Sequence, residues 1–333
     1  MKDLLGLSLS LFFGFAPALF FAWIVYWLDR YEKEPGILLG GVFVWGAIVA
    51  AGAAFLINTT LGLGVYIFTS SESATRLATG WFIAPFVEEI LKGFAVLVIF
   101  LAFRSEFDSL LDGIVYAAIV ALGFAATENT YYIFTQGYQE TGFSGLFWLV
   151  FVRVILVGWQ HPFYTAFTGI GLAANRLSRD RLAKITFPVL GLLAAITAHG
   201  LHNTLVSLLS GGGGLLIGTL VDWGGWLFML AFIIWAITRE RNWIVNQLAE
   251  EVSLGLITAA QYHTACSAWA QNLARMGALF SGKYMPTHRF YQTCAELAYK
   301  KHQLAHFGEE NGNSQAIERL RAELARWSSR AVA

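Results

Sequence analysis

Charge is what this sequence has least of. Only 13% of its 333 residues are Asp, Glu, Lys or Arg, while 56% are hydrophobic. Soluble domains of this size carry roughly twice that charge, so an ordinary soluble enzyme is excluded and an integral membrane protein is expected. The 22 acidic and 22 basic residues balance, and no excess of positive charge points to nucleic acid. Cysteine is nearly missing. Cys266 and Cys294 are the only two; they show no CxxC spacing and no disulfide framework, and read as ordinary thiols of a reducing compartment. The N-terminal apolar stretch lacks a small-x-small cleavage site before the charged "DRYEKE" and is too long for a signal peptide, so it is expected to persist as a first membrane helix.

What is there is a series of long apolar runs. About 20 apolar residues cross a bilayer, and windows of that kind fall at roughly 7–28, 36–59, 81–103, 111–135, 146–175, 184–209 and 214–238. The expected fold is therefore all-α, a polytopic membrane bundle of about seven spans. The stretch "TTLGLGVYIFTSSESATRLATG" between the second and third spans is expected to be an extramembrane loop, and "SGGGG" a tight turn between the sixth and seventh. Arg30, Lys33, Arg104, Arg176, Arg179, Arg181, Lys184, Arg239 and Arg241 fall on one side of such a bundle, with little beyond Lys2 and Arg76 on the other. By the positive-inside rule the C-terminus is expected in the cytoplasm and the N-terminus outside. Beyond about residue 238 the pattern becomes amphipathic at three-and-four spacing. Residues 1–238 are expected to form a membrane domain and 239–333 a small cytoplasmic helical tail, whose His263, His288, His302 and His306 read as scattered surface residues.

The informative residues are the charges inside the spans. "APFVEEILKGF" places Glu88, Glu89 and Lys92 in the third span, where an ionised side chain costs several kcal/mol. Glu128 and Asn129 fall in the fourth span, Arg153 and His161 in the fifth, and His199, His202 and Asn203 in the sixth. At 1.5 Å per residue, Glu88, Glu128, His161 and His199 come to a similar depth, roughly 10–15 Å below the outer face. Glu88 and Lys92, four apart, share a helix face and are expected to pair, leaving Glu89 free; Pro85 is expected to kink the span and free backbone carbonyls. Arg153 is expected to anchor at the interface, and Asp112 and Asn129 to be structural. A carboxylate tuned as general base, or histidines and carboxylates holding Zn²⁺, would activate water for hydrolysis within the membrane. Clusters of this kind also build proton or ion pathways in transporters. A transporter stays open as the alternative, although no internal repeat of the spans is visible.

These residues resemble a known family. Glu88-Glu89-Ile90-Leu91-Lys92 resembles the EExxK motif of the PrsW-type intramembrane proteases, and Phe124-Ala125-Ala126-Thr127-Glu128 is similar to their FxxxE motif. "HPFYTAFTGIGLA" from His161, "HGLHN" from His199 and "YWLDRYEKEPG" at 26–36 resemble further blocks, and the likeness covers roughly residues 15–235. The wider superfamily of CAAX prenyl endopeptidases and bacteriocin-processing proteins resembles EExxxR and FxxxH instead. Lys92 comes one residue sooner here and Glu128 stands in place of a His, which favours the PrsW branch. The resemblance implies a bacterial inner-membrane endopeptidase whose substrate is a single-span membrane protein of the anti-sigma-factor kind, cut near the outer face within the lipid bilayer. On this reading Glu89 activates water, supported by Glu88 and Lys92. His161, His199 and Glu128 hold a metal, with zinc the candidate, or steady the reaction's charge. Asn203 is expected to donate to the oxyanion, because a neutral amide can aim N–H at developing charge.

Overall fold

Inside a bilayer no water satisfies a lone N–H or C=O, so a chain this apolar must close its backbone hydrogen bonds within helices or a closed barrel. The computed structural model, which describes residues 2–208, 212–309 and 312–332, takes the helical route, with no strand among the described residues. The helices are α1 (Lys2–Leu28), α2 (Gly36–Val44), α3 (Ala51–Thr69), α4 (Glu72–Ala78), α5 (Ala84–Ala102), α6 (Leu110–Tyr132), a single turn α7 (Gln139–Thr141), α8 (Phe143–Val150), α9 (Gln160–Leu177), α10 (Arg181–Leu208) and α11 (Gly212–Ser253). They continue with α12 (Ala259–Ala265), α13 (Ala268–Phe280), α14 (Tyr284–Phe307) and α15 (Asn313–Ser328). The first part of the expected "SGGGG" turn, 210–211, lies outside the described residues, and its last three glycines are not a turn but the start of α11.

Among the described residues, six helical stretches are long and apolar enough to cross a membrane by length and composition. The remaining expected span, 81–103, lies within helix that runs from Glu72 to Ala102, and its three charges set it apart from those six. The stretch after the second span, expected as a loop, is mostly helix. α3 continues to Thr69, and the hydroxyls of Thr59, Thr60 and Thr69 donate to the carbonyls of Phe55, Leu56 and Val65 at 2.7, 2.8 and 2.8 Å. Polar side chains that bond back to their own helix lower hydropathy without ending the helix. The stop comes only at Ser70, whose φ of 49° is left-handed, and Ser71 then caps α4 by accepting from Ala74 N at 3.2 Å.

The chain divides into two compact units, one made of residues up to Leu28 with Glu34–Phe232, the other of Asp29–Lys33 with the chain from Ile233 onward. The division falls inside continuous helix α11. In the first unit α6 is central: 89% of its apolar window is buried against protein, compared with 17–39% in the other five. It packs on α1, α2 and α9. Small residues bring the backbones together, as membrane helices require when lipid supplies no hydrophobic drive. A Cβ on Gly169 would lie 1.9 Å from the Gly113 carbonyl, and one on Gly113 would lie 2.3 Å from that of Gly169. The Ser109–Asp112 capping box starts α6, which gives Asp112 its structural role.

The second unit has its own core, including Trp243, Ile244, Leu248, Phe290, Leu297, Leu320 and Leu324. Cys266 and Cys294 are free and buried in it. His302 is not a loose surface residue: its ring stacks on Trp243 at 4.1 Å.

The α6–α9 contact yields a test with two signs. Gly169→Ala should lower the thermal unfolding midpoint in detergent, by the equivalent of about 1–3 kcal/mol of overpacking. Gly40→Ala, where nothing lies within 4 Å of the new Cβ, should leave the midpoint unchanged or raise it, since alanine is the better helix former by about 1 kcal/mol.

Candidate active site

The charged helix is shaped by its proline. Thr79–Ile83, just before α5, is π-helical, and in an i→i+5 pattern the Gly80 carbonyl would receive the N–H of residue 85. Residue 85 is Pro85, which has none. The Asn203 side chain supplies the missing donor, bonding the Gly80 carbonyl at 2.9 Å. The expected freed carbonyl is therefore present, but Asn203 differs from its expected part. Its amide nitrogen is engaged in holding α10 to this bulge, although the residue still lines the cavity described below.

Past the bulge, Glu88 and Glu89 exchange their expected positions. Glu89, fully buried, forms the ion pair with Lys92, also fully buried. Both i,i+3 and i,i+4 spacing place a carboxylate on the lysine's face, so neighbouring helices decide between them. Thr165 on α9 donates to Glu89 Oε2 at 2.8 Å, and His199 Nδ1 on α10 lies 2.9 Å from Oε1. Lys92 Nζ also approaches His161 Nδ1 at 3.4 Å and sits 4.7 Å from the Phe124 ring centroid. Both oxygens of Glu89 are thus engaged. Glu88 receives only Asn58 Nδ2, at 3.3 Å on Oε1; its Oε2 is buried without a hydrogen-bond partner, 3.8 Å from His199 Nε2.

Glu88 opens onto a cavity of about 750 Å³ that Glu128, Arg153, His161, His199, His202 and Asn203 also line. His161 reaches it because the expected overlong fifth span is broken. α8 passes into π-helical Phe151–Leu156, the chain turns at Val157–Trp159, and α9 restarts at Gln160, putting His161 in its first turn. His161 Nε2 lies 2.9 Å from Glu128 Oε2. Arg153 is not an interface anchor: it donates to Glu128 Oε2 at 2.5 Å and Asn129 Oδ1 at 2.8 Å, with its guanidinium over the Tyr132 ring. A charge-assisted bond to a carboxylate in this setting outweighs the gain from reaching out to headgroups.

Glu88, Glu89, Lys92, Glu128, His161 and His199 are all brought together. Sequence reasoning missed Asp222 on α11, which accepts from Tyr164 Oη at 3.0 Å and lies 2.7 Å from His202 Nδ1. Its signal was a lone carboxylate in the apolar "GTLVDWGGWL". Tyr164 and Thr165 follow His161 at i+3 and i+4, on the same helix face, and that spacing was legible too.

The residues suit a divalent metal. Among the described residues, Glu88, His161 and His199 form the one group of this kind, each offering an atom within 4.8 Å of the others. The orphaned buried oxygen of Glu88 is the mark of a missing partner. His199 is held at Nδ1 by Glu89, the carboxylate–imidazole arrangement that orients metal-binding histidines. Two imidazoles and a carboxylate match the borderline-soft preference of zinc.

Neighbouring carboxylates with such different surroundings should respond oppositely to an isosteric change. Glu89→Gln leaves Lys92 as an unpaired buried charge and should cost about 3–5 kcal/mol, read as a large drop in the unfolding midpoint and in the yield of monodisperse protein. Glu88→Gln, compared with wild type in the presence of a chelator so that metal binding does not enter, should keep the midpoint within a few degrees.

The family model described as PrsW family intramembrane metalloprotease matches residues 34–238, more than half of the chain. Among similar proteins, Protease PrsW of Bacillus subtilis (strain 168) is 28% identical over 201 residues, covering 59% of this chain and 82% of the relative. Protease PrsW of Geobacillus kaustophilus (strain HTA426) is 32% identical over 126 residues, 38% and 52% of the two chains. That of Clostridioides difficile (strain 630) is 25% identical over 188 residues, 55% and 74% of the two. No solved structure matches. The matched span contains the whole cluster from Glu88 to Asp222, and the transporter alternative gives way to an endopeptidase acting on a membrane-embedded protein. This multi-pass membrane protein belongs to the PrsW family of intramembrane metalloproteases.

Proposed function

We propose that Glu88, His161 and His199 hold a zinc ion at the wall of the cavity, where a substrate's peptide bond is hydrolysed. The observation that carries this reading is the unpartnered buried Oε2 of Glu88 beside two histidines. A bound zinc would lower the pKa of its water and polarise a carbonyl oxygen. The protein's own residues divide the remaining work. Glu89 and Lys92 neutralise each other behind the site, and Glu89 fixes the His199 ring. Glu128, the second carboxylate on the cavity, takes the proton of the attacking water and returns it to the amine as the peptide C–N bond breaks. Arg153 holds Glu128 in place for that exchange. This moves the base from Glu89, whose oxygens are both occupied, to Glu128.

The substrate proposed is a single-span protein of the anti-sigma-factor kind, cut near its outer end. Glu88 and His161 lie early in α5 and α9, and Glu128 and His199 late in α6 and α10. All four are therefore at helix ends remote from Arg104, Arg176 and Arg181. With the basic loops in the cytoplasm, the site falls in the outer half of the inner membrane, with the N-terminus outside and the C-terminus inside.

Elemental mass spectrometry of the detergent-purified protein separates the roles. Stoichiometric zinc is expected in wild type and in Glu128→Gln, and its loss in Glu88→Ala, His161→Ala and His199→Ala, with Glu128→Gln slowed by about 10²–10⁴-fold in proteolysis. Folded wild type that neither carries nor rebinds metal would remove the zinc reading, and zinc retained in all three alanine variants would remove this ligand set.

A further inference from the structure

Helix α13 is inside out for a helix facing water. Its inner face buries Gln271, Ala274 and Ala278, whereas Trp269, Leu273, Met276 and Phe280 are 72%, 51%, 57% and 92% exposed. Those four recur at spacings of four, three and four, one stripe along the helix. Burying small side chains while presenting large apolar ones reverses what transfer from water favours. A contiguous patch of this kind marks an interaction surface.

Three observations indicate that lipid covers it. The first is chain reach. Tyr31 belongs to the second unit's core, against which Ala268, the first residue of α13, also packs. Tyr31 is also only three residues beyond Leu28, where the first membrane helix ends, and three residues extend at most about 11 Å. The second unit's core, on which α13 packs, thus contains residues that directly follow the first membrane helix in the chain. The second is charge: no Asp or Glu occurs between Glu251 and Glu296, while Arg275, Lys283 and Arg289 fall in that interval. Acidic residues would repel an anionic leaflet, and basic ones are drawn to it. The third is residue type, since Trp, Phe and Leu on one face with basic residues nearby characterise helices that lie in the membrane interface.

We propose that α13 is an interfacial anchor, its Trp269–Phe280 stripe immersed at the headgroup–acyl boundary of an anionic bilayer. The proposal concerns the tail and stands apart from the chemistry of the protease site.

The full chain, carrying bimane on Leu273→Cys, Phe280→Cys or, as control, Glu318→Cys on α15, would be reconstituted in vesicles of equal parts phosphatidylcholine and phosphatidylglycerol. The two native cysteines are buried, and unsubstituted protein supplies the labelling background. Brominated phosphatidylcholine should quench the labels at 273 and 280 several-fold more than the one at 318, and iodide should do the reverse. Iodide quenching at 273 and 280 equal to that at 318 would overturn the proposal by showing a solvated face. Shielding of both positions from bromine and iodide alike would also overturn it, by showing a face covered by protein such as a second copy.

Discussion

A lysine with no exposed surface, inside a helix otherwise apolar enough for lipid, is tolerable only if its charge is met at contact distance. The Glu89–Lys92 pair is that condition. A buried pair does not by itself add much stability, because desolvation consumes most of the attraction, but losing either member leaves a charge that nothing else can absorb. The pair therefore acts as a fixed point. His199 is oriented by Glu89, His161 approaches Lys92, and Thr165 ties α9 to the same carboxylate. Three helices take their mutual setting from one ion pair.

Glu88 and Glu89 show how two identical neighbours come to differ. Their covalent surroundings are alike, and only the helical twist of 100° between them separates their fates. One points into the packed bundle and is satisfied by Lys92, His199 and Thr165. The other points to the cavity and keeps an oxygen without a partner. The bundle supplies a structural carboxylate and an available one from a single dipeptide. It does so without exposing either to lipid.

Most of the bundle was legible because helical spans announce themselves by length and hydropathy, and the clustered charges because the bilayer makes each of them expensive. The assignment of partners was not legible. Glu88 and Glu89 both satisfy the spacing rule for Lys92, and only the donors arriving from α9 and α10 distinguish them. Arg153 shows the same limit: snorkelling and pairing are equally consistent with its place in the chain, and Glu128 and Asn129 across the bundle decide. Asn203 went to the Gly80 carbonyl, which is freed because the residue five positions on, within the reach of the bulge, is a proline. Asp222 was overlooked because it lies alone, far along the chain from the motifs it joins.

Among the described residues, four π-helical stretches interrupt the membrane helices: Trp45–Ala50, Thr79–Ile83, Ile133–Tyr138 and Phe151–Leu156. Each contributes to the cavity or directly adjoins a residue that does, through Ala51, Gly80, Gln136 and Arg153. A π-bulge amounts to one residue more than an α-helix of equal rise would hold. The bulge before Pro85 absorbs its extra residue locally, so losing that residue would restore an α-turn and leave Glu88 and Glu89 facing as they do. A one-residue deletion just past Pro85, in regular helix, would instead carry Glu89 into the place of Glu88 and Ile90 into that of Glu89.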